Sequence, residues 1–168
     1  QVGPDASAFD QGIAHLAAQW CAQHGGDAAL FHRANRHARL LPSTGARVLD
    51  ALQAELNARD TELRGRPIHA IEQLNELLGW SESLDLAPLH MRLTGRWALL
   101  RLLDGARPEQ VLTPIEASLA SGERARTLPG YATTLLLSAR TEALFRDARF
   151  DEAQVCDQQA QQIGADRG

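Results

Sequence analysis

Apolar residues recur at helical spacing along almost the whole chain. Phe9, Ile13, Leu16 and Trp20 mark a first helix over about 6–23, which His24-Gly25-Gly26 ends. Asp27 is placed to cap a second helix over about 28–41, stopped by Pro42. Val48, Leu49, Leu52, Leu56 and Leu63 form the stripe of a helix over about 45–64. After Gly65, Pro67 suits the first turn of a helix over about 67–79, with Ile68, Ile71, Leu74 and Leu78 on its apolar face. Ser81 through Pro88 reads as a polar linker. Leu89, Leu93, Trp97 and Leu100 then define a helix over about 88–104, and Leu112, Ile115 and Leu119 one over about 108–121. Pro114 interrupts the latter. An interior proline costs about 3 kcal/mol, and Thr113-Pro114-Ile115-Glu116 has the form of a capping box, so a kink or restart is expected there. Helices over about 129–147 (Tyr131, Leu135, Leu144) and 151–163 (Cys156, Ala160, Ile163) complete the series. The expected fold is all-α: eight helices in four stacked hairpins (about 6–41, 45–79, 88–121 and 129–163) in one repeat domain.

The hairpin turns resemble one another. Gly65-Arg66-Pro67-Ile68-His69-Ala70, Gly105-Ala106-Arg107-Pro108-Glu109-Gln110 and Ala148-Arg149-Phe150-Asp151-Glu152-Ala153 occupy equivalent places. Anchored on Ala70, Gln110 and Ala153, they lie 40 and 43 residues apart, a period that means stacked helical hairpins. Backbones approach closely only where side chains are small. Ala58 and Ala98 precede the turn glycines by seven residues, with Thr141 in the equivalent place, and Leu77, Ala117 and Ala160 follow seven residues beyond the turn anchors.

Composition narrows the function classes. The 168 residues are 44% hydrophobic and 23% charged, ordinary for a folded domain with a real core. All 17 basic residues are Arg, and the net charge of −4 gives no global pull toward nucleic acid. Without Lys there is no Walker-type phosphate loop, and no His-Glu-x-x-His, Cys-x-x-Cys or nucleophile elbow is present, so no catalytic set, metal or cofactor is expected in this segment. Cys21 and Cys156 fall on apolar stripes and are expected as buried free thiols. The six histidines read as solvated polar positions; His32 and His37 lie about 140° apart around a helix and do not converge on a metal. The Arg33/Arg36/Arg39 cluster with Arg47 reads as a charged solvated face. No apolar run approaches a membrane span, and a cytoplasmic location is expected. The chain opens on Gln1 with Met91 its sole methionine, so it is expected to be part of a longer protein.

The Ala148–Ala153 turn, the long first helices and a period above 34 resemble the tetratricopeptide-like repeats of the MalT type, the sensor region of large LuxR-family transcriptional activators. Leu89 to Gly168 carries most of the likeness, and Gly65–Leu74 is similar to the same turn. The resemblance implies a bacterial multidomain regulator with an ATP-hydrolysing switch domain before the repeats and a DNA-binding helix-turn-helix after them. An inducer held in the superhelix would promote self-association. Leu112–Glu116 resembles the start of such a helix-turn-helix, but the residues that follow lack its recognition segment, so no direct nucleic-acid contact is expected here. The other reading is a stand-alone tetratricopeptide adaptor binding a protein segment; a helical enzyme would need a reactive set that does not stand out.

In either reading the ligand, a small-molecule inducer or a protein segment, would lie in the concave groove lined by the first helices of the hairpins. Polar residues at the expected positions are Glu55, Arg59 and Glu62, then Arg92, then Ser138, Glu142 and Arg146. Glu55/Arg59 and Glu142/Arg146 also have the favourable i,i+4 order, worth about 0.2–0.5 kcal/mol each. Trp97 reads as a core aromatic.

Overall fold

Among the described residues five helices end on a residue in the left-handed region, Arg126 after the sixth helix and four others that lead into short hairpin turns. A computed structural model describes residues 7–38, 46–83, 86–126 and 130–165. Among them every regular element is helical: α1 (Ala8–His24), α2 (Ala28–Ala38), α3 (Arg47–Leu63), α4 (Pro67–Ser83), α5 (Ala87–Leu103), α6 (Pro108–Arg124), α7 (Tyr131–Arg146) and α8 (Phe150–Ala165). The residues with positive φ at the ends of α1, α3, α5 and α7 are Gly26 (71°), Gly65 (72°), Gly105 (87°) and Ala148 (58°). Three of these turns share one hydrogen-bond pattern. The amides of Gly65, Gly105 and Ala148 donate to the carbonyls of Glu62, Leu102 and Phe145, and the next amides donate to Thr61, Arg101 and Leu144. This is the Schellman closure, which satisfies carbonyls that the helix leaves unpaired. The sequence repeat is therefore a repeat of one backbone turn.

The chain forms two compact units, residues 1–73 and 74–168, with the division falling inside α4. In the first, α1 and α2 make a hairpin against which α3 packs. Ser7 caps α1, its Oγ accepting from the Asp10 amide at 3.2 Å. Asp27 caps α2 as expected, accepting from the Leu30 amide at 2.8 Å. A small apolar core joins Ala22, Phe31 and Leu56, with Leu16 beside it.

In the second unit α5 packs against α6 and α7, and α7 packs against α6 and α8. The core runs from Met91 and Ala98 through Val111, Ile115, Leu136 and Leu144 to Cys156 and Ala160, with Trp97 half-buried against it. Gly95 sets the α5–α7 spacing: a Cβ there would stand 3.1 Å from the backbone of Leu135 and Leu136. Gly122 has the same role toward Met91, whose sulfur would lie 2.5 Å from an added Cβ.

Several expectations are corrected. Residues 81–83 complete α4 and Ala87-Pro88 opens α5, so the polar linker shrinks to a few residues, of which 84 and 85 lie outside the described set. The Ser81 hydroxyl explains the extension: it bonds the Leu78 carbonyl and His90 Nδ1, both at 2.8 Å, so it is satisfied in the helix. α6 runs unbroken through Pro114 to Arg124. Its cap lies at Arg107, whose amide donates to Gln110 Oε1 at 3.0 Å, with Pro108 in the first turn. Burial of Val111, Ile115 and Ser118 along α6 offsets the lost proline hydrogen bond. The α1 stripe is also turned outward: Phe9, Ile13 and Trp20 are exposed, as is Cys21, while Gln19 and Ala22 are buried. Cys156 is buried as expected. Ala117 is exposed, and its neighbour Ser118 takes the buried place. The end of the second expected helix, 39–41, and the connection to residue 45 lie outside the described residues.

Candidate functional site

Three helices of the first unit each place one polar residue a turn away from an apolar one at the core: Gln19 near the partly buried Leu16, Asn35 near Phe31, Asp60 near Leu56. Gln19 and Asn35 are completely buried and Asp60 is 1% exposed. Gln19 Nε2 donates to Asn35 Oδ1 at 2.5 Å, and Gln53 Nε2 reaches the same oxygen at 3.3 Å. His32 Nδ1 donates to one oxygen of Asp60 and Arg64 Nε to the other at 3.0 Å, tying α2 to α3. Burial pushes the Asp60 carboxyl up. The hydrogen bonds from His32 and Arg64, the nearby Asn35 amide and the Arg64 charge outweigh it and hold its pKa below the ordinary value. Asp60 is therefore ionised at neutral pH. An ionised Asp60 accepts, so the proton of this bond sits on Nδ1 of His32. Gln19 Oε1 remains buried without a partner.

This cluster went unread in the sequence, where the histidines were expected in solvent. The available signal was polar residues in register with the apolar stripe of three successive helices. His90 departs from the expectation as well. It is half-buried on α5, and burial lowers its pKa against the opposing pull of the Glu82 charge. The side chains of His24 and His37 are outside the described set.

The residues singled out for the groove divide between the units. In the first, Glu55 is buried on α3, and Arg59 Nη1 pairs with Glu62 one turn ahead. In the second, Arg92 is half-buried on α5. Ser138, Glu142 and Arg146 follow one another along α7, a turn apart. Ser138 Oγ donates to the Thr134 carbonyl, and Arg146 Nε donates to Glu142 at 2.7 Å. Arg146 also reaches the Leu102 carbonyl through Nη1, so one guanidinium ties the end of α7 to the end of α5. That carbonyl belongs to the last turn of α5, where cations are favoured.

A different face of α7 borders an open groove of about 270 Å³ lined by Arg140, Asp151, Glu152, Val155, Cys156 and Gln159. Arg140 lies about 200° round the helix from Ser138, so the groove and the Ser138–Arg146 row are separate surfaces. Arg140 Nη2 stands 3.5 Å from Glu116 and its Nε is buried without a partner. Hydrogen bonding to Glu152 raises the pKa of Arg149 and lowers that of Glu152; the pair is bidentate at 2.7 Å. The Cys156 thiol donates to the Leu137 carbonyl at 3.4 Å. The groove offers guanidinium, carboxylate and amide groups around the apolar Val155 and Cys156. Among the described residues no group of three metal-ligating side chains converges, and no helix is long and apolar enough to cross a membrane. No protein-family model, no curated protein and no solved structure matches the chain.

Proposed function

We propose that the chain is the ligand-sensing or protein-interaction repeat segment of a bacterial LuxR-family regulator of the MalT type. It transmits inducer binding to self-association and to DNA binding located elsewhere in the protein. The observation that carries this reading is the recurrence of one Schellman turn at Gly65, Gly105 and Ala148, with α5 and α7 in close contact at Gly95. In such an array each hairpin contacts its neighbours, and here α7 carries an ordered polar row. Ser138, Glu142 and Arg146 form the row assigned to the ligand, and occupancy there acts on the Arg146 link between α7 and α5. A second reading, an adaptor that binds a peptide, draws on the α7/α8 groove and its uncommitted Arg140 Nε.

A thermal-shift screen separates the two. Neutral oligosaccharides, nucleotides and acidic or basic peptides are tested against the wild type and a Glu142→Ala/Arg146→Ala variant. A ligand at a hundredfold excess over its Kd adds about 2.7 kcal/mol, a rise of several degrees. Stabilisation by a small molecule that the double variant loses supports the sensor reading. Stabilisation only by peptides, unchanged in that variant and lost in Arg140→Ala, supports the adaptor. A screen with no stabilising member counts against both.

A further inference from the structure

The ends of α5 and α7 and the start of α8 carry the most exposed large apolar side chains of the second unit. Leu103 is 73% exposed, Phe145 61% and Phe150 57%. Phe145 and Phe150 form an edge-to-face pair with centroids 5.4 Å apart. The Arg146 bond to the Leu102 carbonyl holds the two turns beside each other, so Leu103 belongs to the same end of the unit. At about 200 Å² for an aromatic side chain and less for leucine, the three leave roughly 300 Å² of apolar surface in water. That is in the range of the largest apolar patch on a soluble monomer, which is often functional.

The charges around the patch say what kind of partner. Over residues 101–109 and 142–152 four arginines face six carboxylates, a net of −2. Arg101 is taken by Asp104 at 3.5 Å and Arg146 by Glu142 at 2.7 Å. Arg149 serves both Glu152 and Asp147. Glu109 and Asp151, exposed in the first turns of α6 and α8, enter no ion pair among the described residues, and Arg107 is the one cation of these turns in the same condition. Apposing a second copy would set −2 against −2. A basic segment is drawn to the rim and releases its charge there.

We propose that this end of the unit docks a basic amphipathic segment of a partner protein. Its large apolar side chains cover Leu103, Phe145 and Phe150, and its Arg or Lys residues face Glu109 and Asp151. The proposal goes beyond the sensor reading, because it uses neither Ser138 nor Arg140, and Asp151 is the residue it shares with the α7/α8 groove. Fluorescence anisotropy tests it with a labelled synthetic helix of about 18 residues, five turns. The peptide carries Leu and Trp at i, i+4 and i+7 with Lys and Arg elsewhere, and is compared with a counterpart bearing Glu at the basic positions. The basic peptide should bind saturably and at least tenfold more tightly than the acidic one. Phe145→Ser/Phe150→Ser, at exposed positions that leave the core intact and every charge in place, should weaken it tenfold or more. Leu103→Ser should do so to a lesser degree, and Glu109→Gln/Asp151→Asn should flatten the salt dependence. Equal binding by wild type and the Phe double variant would mean charge adsorption alone and overturn the proposal, as would no binding. A wild-type dimer in sedimentation that the Phe double variant dissociates would overturn it by making the patch a self-interface.

Discussion

Ala148 should be the easiest residue in this protein to improve. It occupies the turn position that Gly65 and Gly105 hold elsewhere, with φ of 58° where they have 72° and 87°. A side chain with a Cβ pays about 1–2 kcal/mol in the left-handed region. Replacing Ala148 by Gly removes that strain and adds about 0.4–1 kcal/mol of unfolded-state entropy to be lost. Ala148 is exposed, so its methyl group contributes no core packing, and it lies beyond the last helical residue, so no helix-interior cost for glycine applies. The net expectation for Ala148→Gly is about 0.5–1 kcal/mol of added stability. That is a rise of about 1–4 °C in Tm for a chain of this size. Gly105→Ala has the reverse sign: nothing lies within 4 Å of the added methyl, so only the backbone term acts. It should lose a similar amount. Urea unfolding followed by far-ultraviolet circular dichroism measures both through the midpoint at constant slope. Destabilisation by Ala148→Gly, or a neutral Gly105→Ala, would refute the assignment of these residues to one shared turn.

Asp60→Ala should cost about 1.5–3 kcal/mol, the usual worth of hydrogen bonds to a charged group, since His32 and Arg64 lose their shared acceptor but are themselves partly exposed. The folded pKa of Asp60 lies below its unfolded value, so this contribution is complete above about pH 5 and is lost as pH falls through the folded value. The stability gap between wild type and variant, read from urea midpoints, should therefore be constant from about pH 5 to 7 and close in acid. A gap that widens in acid contradicts the linkage. Gly95→Val should destabilise by about 2–3 kcal/mol, because even its Cβ meets the Leu135–Leu136 backbone at 3.1 Å. Gly79→Ala, exposed inside α4 with nothing within 4 Å, should stabilise by about 0.5–1 kcal/mol. Thermal midpoints of the two variants moving in the same direction would remove the close-approach argument.

Local chemistry was legible in the sequence because it acts over one or two turns of chain. Helical periodicity, Asp27 as a cap, Pro67 and Pro108 in first turns and glycine after the last turn each work through neighbouring backbone groups. Hence the number of helices and the hairpin turns were foreseen, as was the Glu142–Arg146 pair. Which face of each helix is buried depends on neighbours distant in sequence. Gln19 and Ala22 take the buried side of α1 and Phe9, Ile13 and Trp20 lie outward, although their spacing marked them as the helix's apolar stripe. Pro114 stays helical because burial of the α6 face outweighs one missing hydrogen bond. The partnership of His32 with Asp60 spans 28 residues, and that of Arg146 with the Leu102 carbonyl spans 44. No spacing rule reaches so far. The sequence by itself determined a series of helical hairpins closed by one kind of turn. Tertiary structure alone decided which polar groups meet and which apolar ones stay in water, because burial is a property of packed helices and not of any single one.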